Sequence, residues 1–396
     1  MAIRIAFPLI GRGNWTGGFN YLKNTLRVVR SHCADQLEAL LFLSPEENDR
    51  FGAELAPLVD QRVVVNPVIM MSGRGSSLAR ALVTGRDEPL ERLLLSAGAD
   101  VAVEVASFYG RRFALPVISW IADCQHCIMP EMFDRTNWWR RDLGFRMQIG
   151  GGRTIMVSSD TTRQDLERFY PAARGRSHVV RFAIDLDVTP YLARSDEMRA
   201  IYNLPERFFF LPNQFWRHKN HGVVVEALAI LAQKGRLSDL PPVVLTGQPN
   251  DPRNPTHFDD LMRAATNAGV EGHFRYLGLV PYDHVLALNA ACDAMINPSR
   301  FEGWSTPIEE AKAFATPLML SDMPIHHEQA PDAQFFNWRS AEAVAGALVD
   351  RARCPKVSRQ PAAILAAAQA KRLDNHAASL IKTVIAAAER HKLAAA

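Results

Sequence analysis

Long apolar runs are missing from this chain of 396 residues. No stretch of about 18 consecutive apolar residues occurs, so no segment reads as a helix that could span a bilayer. Cysteine is scarce: five residues, an odd number at scattered positions, argue against a disulfide framework and for a reducing, cytoplasmic setting. Cys124 and Cys127 do form a C-x-x-C, yet no second Cys/His pair follows at zinc-finger spacing. Ile128 follows Cys127, which excludes a haem-attachment motif, so both cysteines read as small loop residues. Net charge is also small. At +3 it is too low to imply a nucleic-acid partner. Internal repeats and low-complexity tracts are absent. The first apolar run, Ile3–Phe7, breaks at Pro8 and a glycine-rich stretch, unlike a secretory signal.

What remains is an ordinary globular composition, 48% apolar and 22% charged, in a chain too long for one core and suited to two domains of roughly 150–200 residues. Strand-like and helix-like runs alternate throughout, which predicts α/β architecture with parallel sheets. One segment concentrates charge with aromatics: Arg135, Trp138, Trp139, Arg140, Arg141 and Arg146, followed by Arg163, Arg168, Arg174, Arg176 and Arg181. Such a mixture suits either a solvated helix with core Trp or the headgroup layer of an anionic membrane.

The most informative stretch begins with the apolar run Asp293–Asn297, which reads as a buried strand. Pro298-Ser-Arg-Phe-Glu302-Gly303-Trp304-Ser305 then forms a loop, and Thr306-Pro307-Ile-Glu309-Glu310 opens a helix. Thr306 is a good N-cap, Pro307 fits the first helical position, and Glu309 three residues on completes a capping box. Glu310 is then available to face what lies beyond the strand. A strand end, a loop with unsatisfied N–H groups and a helix N-terminus together make an anion site. Carboxylates beside it suit hydroxyls, which donate to them. Phosphate next to hydroxyls describes a sugar nucleotide.

Glu302 and Glu310 are separated by seven residues, and Ala-Thr-Pro follows the helix. This resembles the E-x7-E signature of the retaining GT-B glycosyltransferases, specifically the family 4 group. The resemblance implies two Rossmann-like domains with parallel sheets facing across a cleft. It also implies that Glu302 contacts donor-sugar hydroxyls and Glu310 the ribose, with Gly303, Trp304, Ser305 and Thr306 lining the phosphate side.

Four further segments fit the resemblance. In Leu211-Pro-Asn-Gln214-Phe-Trp-Arg217-His-Lys219, Lys219 sits at a strand-to-helix crossing where an ammonium can neutralise a diphosphate. Gln214 stands where relatives commonly carry an Arg, and Arg217 is a possible substitute. The strand and loop Arg275–Tyr282 resemble the segment whose backbone meets the nucleotide base, with Val280 as the contact. Gly11-Arg-Gly13-Asn-Trp-Thr-Gly17-Gly18, before a helix expected from about Phe19, superficially suggests a dinucleotide fingerprint, but the acidic residue expected after the second strand is missing. The resemblance instead gives Gly17 and Gly18 a place near the donor phosphates. His126, in the loop after Val117–Trp120, matches a family histidine beside the donor sugar; a lone His is more often structural than catalytic. Asp185-Leu-Asp187 is a D-x-D, read here as linker and not as a metal site.

The expectation is therefore an acceptor-binding domain over residues 1–183, completed by a crossing helix at 375–396, and a donor-binding domain over 184–374. The implied reaction is metal-independent hexosyl transfer with retention, needing no cofactor beyond the nucleotide sugar as co-substrate. His126, Glu302 and Lys219 would be its catalytic residues. Donor and acceptor stay open: GDP-mannose or a related sugar, and a glycan or lipid-linked acceptor of bacterial surface polysaccharide or lipopolysaccharide assembly, at the inner face of the plasma membrane. Two alternatives persist, a GT-B nucleotide-sugar epimerase and a non-catalytic nucleotide-sugar-binding subunit.

Overall fold

The computed structural model describes residues 2–10, 16–71 and 75–395. Gly11 and Gly13 of the glycine-rich stretch fall outside the described residues. The chain divides into two compact units, Met1–Asp185 with Ala370–Ala396, and Leu186–Gln369.

Unit 1 is built on seven parallel strands: β1 (Ile3–Pro8), β2 (Leu37–Leu43), β3 (Val63–Val65), β4 (Val101–Glu104), β5 (Val117–Trp120), β6 (Thr154–Val157) and β7 (Ser177–Val179). They lie in the order β3-β2-β1-β4-β5-β6-β7. Helix α1 (Thr16–His32) follows β1, and α2 (Arg135–Gly150) carries the Arg/Trp segment. Because α1 begins at Thr16, Gly17 and Gly18 belong to its first turn, where main-chain N–H groups have no partner inside the helix. The expected helix start near Phe19 is thus three residues late.

Unit 2 has six parallel strands: β8 (Phe209–Leu211), β9 (Val243–Leu245), β10 (Phe274–Tyr276), β11 (Ala294–Asn297), β12 (Leu318–Ser321) and β13 (Gln334–Phe336). Their order is β10-β9-β8-β11-β12-β13. Helices α3 (His221–Gln233), α4 (Tyr282–Ala291), α5 (Thr306–Ala313) and α6 (Pro324–Gln329) return the chain between strands. Strand β8 shows why the sheet is covered on both faces. Phe209 and Leu211 pack with Val224, Leu228 and Val243, whereas Phe208 and Phe210 pack with Val244, Ala287 and Leu288. Residues two apart point to one face, so an unbroken apolar run needs apolar partners on both. Each buried Phe contributes roughly 1.5–3 kcal/mol relative to exposure.

A last helix, α7 (Ala362–Ala395), begins in unit 2 and ends in unit 1. The sequence pattern from 375 onward captured only its later part. Alanine-rich stretches on both sides of Lys371 favour one continuous helix.

Candidate active site

In an open parallel sheet, ligands bind beyond the carboxyl ends of the strands where strand order reverses. In unit 2 that point lies between β8 and β11, which are neighbours in the sheet although β9 and β10 separate them in the chain. The loops after these two strands carry Lys219 and Glu302. The fold brings them together: Lys219 Nζ donates to Glu302 Oε1 at 2.6 Å, with both side chains largely buried.

A polar cluster under this pair orients it. Asn297, at the end of β11, donates from Nδ2 to Glu302 Oε1 (3.3 Å) and to Ser305 Oγ (3.0 Å). Its Oδ1 accepts from Asn213 Nδ2 (3.2 Å) and from Ser299 Oγ (2.6 Å), and Ser299 Oγ also reaches Glu302 Oε1 at 2.8 Å. Asn213, Asn297, Ser299 and Ser305 are all buried. A buried amide with satisfied donors and acceptors is rigid, because every rotation leaves a polar atom unpaired. Neither asparagine stands out in sequence, since their relevance depends on two strand ends meeting.

The two glutamates of the E-x7-E spacing meet opposite environments. Burial works against the charge of Glu302, but the Lys219 ammonium outweighs it and holds the carboxyl down at about 2. Glu310 is 4% exposed, and among the described residues no cation offsets its burial. Burial pushes its carboxyl up to about 7, with Tyr282 pulling the other way. The Tyr282 hydroxyl donates to Glu310 Oε1 at 2.8 Å. Tyr282 opens α4 directly after the loop holding Val280, so the β10–α4 connection lies against Glu310. Glu310 can thus accept hydroxyl donors, which is the chemistry of a ribose diol.

The helix start differs from expectation by one residue. Ser305, extended at φ −88° and ψ 112°, is the N-cap of α5, so Thr306 and Pro307 are the first two helical residues. No capping box forms. Ser305 Oγ is taken by Asn297, and the Glu309 carboxylate accepts from Lys312 Nζ (2.8 Å) and Gln329 Nε2 (2.9 Å). Gln329, from α6, performs the bracing instead: its Oε1 accepts from Ser305 N–H at 3.1 Å and its Nε2 donates to Ser305 C=O at 2.8 Å. Glu309 is a structural residue, held by Lys312 and Gln329 and not by a capping box.

Gln214 lies in the loop after β8, where its main-chain oxygen accepts from Trp216 N–H at 2.8 Å. Arg217 is exposed. His218 beside Lys219 is buried, and burial together with the neighbouring ammonium lowers its imidazole to about 3, so it is neutral at physiological pH. Trp304 and Gly303 sit between Glu302 and Ser305 in the same loop.

His126 belongs to unit 1 and is fully buried there. Its ring is edge-on to Phe145 at 5.1 Å and its main-chain oxygen accepts from Trp138 Nε1 at 2.7 Å. The surrounding hydrogen bonds fix its tautomer. Tyr170 gives its hydroxyl proton to Asp142 Oδ1 (2.7 Å), and Asp142 Oδ2 is held by Arg146. The contact between Tyr170 Oη and His126 Nε2, at 2.8 Å, therefore has the imidazole as donor. Nδ1 is left as a buried acceptor with no hydrogen-bond partner. Burial also lowers this imidazole, to about 4. Cys127 Sγ completes the cluster, 3.4 Å from His126 Nε2. Of the D-x-D pair, Asp187 Oδ1 accepts from Thr189 N–H at 2.9 Å and Asp185 N–H donates to Asn24 Oδ1 at 3.3 Å.

Two parallel α/β sheets of seven and six strands define a protein of GT-B architecture. Solved structures share it over nearly the whole chain. A glycosyltransferase from Rickettsia africae superposes with a TM-score of 0.65 at 13% identity, covering 99% of this chain and 98% of its own. Anabaena HepE, in complex with UDP and glucose, gives 0.61 at 14% identity, with 99% and 98% coverage. Residues 195–359 match the family model of glycosyl transferases group 1. An O-antigen chain mannosyltransferase B of Escherichia coli is 25% identical over 236 residues, 57% of this chain and 59% of its own. A D-inositol 3-phosphate glycosyltransferase of Jonesia denitrificans is 24% identical over 188 residues, 46% of this chain and 44% of its own. The chain thus spans about half the length of the curated relatives it matches.

Proposed function

We propose that this chain is a retaining, metal-independent hexosyltransferase of the family 4 type. It takes a nucleoside-diphosphate sugar as donor and a hydroxyl of a glycan or lipid-linked acceptor as nucleophile. The carrying observation is the pairing of Lys219 with Glu302 at the β8/β11 switch point, with Glu310 on the helix that follows. Glu310 accepts the ribose hydroxyls, Glu302 orients the donor sugar, and Lys219 with the N-terminus of α5 at Thr306 faces the diphosphate. The barrier is departure of that diphosphate from the anomeric carbon, so charge stabilisation at the leaving oxygen is the main catalytic demand. In a front-face transfer the leaving oxygen takes the acceptor proton, and no protein base is required. His126 is buried within unit 1, so its proposed part in catalysis is tested by substitution.

A GDP-sugar such as GDP-mannose, used in bacterial surface polysaccharide assembly, is the donor we favour; the resemblance to the O-antigen chain mannosyltransferase supports it. The UDP and glucose held by HepE make UDP-glucose the first competitor. We also propose peripheral contact with an anionic membrane through α2, which exposes Trp139 and Leu143 together with Arg135 and Arg140. No helix among the described residues is long and apolar enough to cross a membrane.

Incubation with a panel of nucleotide sugars, followed by product analysis, tests the reading. Free nucleotide with a glycoside of retained configuration supports it. An epimerised sugar would reassign the chain as an epimerase. Binding with no turnover for any donor and acceptor would leave a nucleotide-sugar-binding subunit.

A further inference from the structure

The ammonium of Lys219 is already held by Glu302 at 2.6 Å. Its charge is largely met before any ligand arrives, while a nucleoside diphosphate brings two or more negative charges. A second cation is needed, and Gln214 cannot supply it. The loop after β9 can. Three main-chain bonds stitch this loop to the site: Phe215 N–H to Gln248 C=O (3.1 Å), Thr246 N–H to Leu211 C=O (3.5 Å) and Gly247 N–H to Gly278 C=O (3.3 Å). Gly247 has φ of +142°, and a Cβ there would lie 2.5 Å from the Asn213 oxygen, so only glycine lets the two loops approach this closely.

Arg253 stands in that loop. Asp251, buried at 1% exposure, accepts from Arg253 N–H (3.0 Å) and Arg253 Nε (3.2 Å), which sets the direction of the side chain. The guanidinium stacks over the Trp216 ring at 5.5 Å, and Trp216 in turn lies 5.6 Å from the His218 ring, next to Lys219. Lys219 and Arg253 both act electrostatically on the His218 imidazole, from different loops. Among the described residues the two Nη groups of Arg253 make no hydrogen bond, and the side chain is 32% exposed. A guanidinium fixed through Nε with both Nη groups open presents a fork that matches phosphate oxygens.

We propose that Arg253, and not Arg217, is the second cation for the donor diphosphate, delivered from the β9 loop in place of the residue missing at Gln214. This rests on the donor-site reading above. Arg217 is exposed, and among the described residues it has no comparable anchor.

The test uses calorimetry with whichever of GDP, UDP, ADP and dTDP binds the unaltered chain most tightly, and with the matching nucleoside, which lacks phosphate. Arg253→Gln should weaken diphosphate binding about tenfold or more, the scale of a charged hydrogen bond, and leave the nucleoside unaffected. Arg217→Gln should change neither. Normal nucleoside binding shows that a variant is folded. If Arg253→Gln fails to fold because Asp251 is stranded, the double variant Asp251→Asn/Arg253→Gln removes both charges and carries the same expectation. Unchanged diphosphate affinity, or equal loss for nucleoside and diphosphate, would overturn the assignment. Lys219→Ala and Glu310→Ala serve as references. If neither weakens diphosphate binding, or no nucleotide binds, the donor-site reading itself fails, a result distinct from a silent Arg253 variant beside sensitive Lys219 and Glu310 variants.

Discussion

Glu310→Gln should make unit 2 more stable at neutral and higher pH, although it removes a residue of the proposed site. In the folded chain this carboxyl titrates at about 7, raised from 4.5 by burial. At about 1.4 kcal/mol per pH unit, that gap is worth roughly 3 kcal/mol. Below pH 4.5 both folded and unfolded chains hold the proton, and the group costs nothing. Between 4.5 and 7 the unfolded chain releases the proton while the folded chain keeps it, so the contribution to stability falls as pH rises through this window. Above 7 the loss is complete, and a buried carboxylate accepts from the Tyr282 hydroxyl. Glutamine has no such titration and can still accept from Tyr282. For a unit of this size 1 kcal/mol corresponds to roughly 2–4 °C in Tm, so the variant should melt about 6–12 °C above the parent at pH 8. The difference should shrink toward zero near pH 4.5. Thermal melts of both proteins across pH 4.5–8 provide the comparison. A constant Tm difference across that range would show that Glu310 does not titrate abnormally and would refute the burial argument.

Gln329→Leu should cost about 1–3 kcal/mol by stranding Ser305 and Glu309, seen as an earlier melt; a Tm equal to the parent's would contradict the bracing role. Turnover should survive EDTA, because the proposed diphosphate cations are side chains; loss restored by manganese would point to the Asp185/Asp187 pair instead. His126→Ala should lower single-turnover rate while leaving nucleoside diphosphate affinity unchanged, whereas an earlier melt with a normal rate would reduce His126 to a packing residue. Trp139→Ala should weaken sedimentation with vesicles containing anionic lipid; equal sedimentation would remove α2 from the membrane reading.

Parts of this site were legible in the sequence because their signals are local. The apolar runs at Phe208–Leu211 and Ala294–Ile296 could only be strands covered on both faces, and Pro307 marked a helix start. What lay hidden depends on distant residues meeting. The Lys219–Glu302 bond joins positions 83 apart, and Gln329 reaches Ser305 across 24. The N-cap was misplaced by one residue because Ser305 and Thr306 are both good caps, and backbone conformation, invisible in sequence, decides between them. Arg253 carries no local signal, because its place beside Trp216 depends on the close approach of two loops at Gly247. His126 matched a position, yet nothing in the chain announced the Tyr170–Asp142–Arg146 relay that fixes its proton.

The most direct measurement is a crystal structure of the chain soaked with the nucleoside diphosphate that raises its Tm most. The ribose hydroxyls should lie within hydrogen-bond distance of the Glu310 carboxylate, with the diphosphate against Lys219 and the N-terminus of α5 at Thr306. A nucleotide bound on the seven-stranded unit, or one in unit 2 that leaves Glu310 and Lys219 untouched, would contradict the assignment of this site.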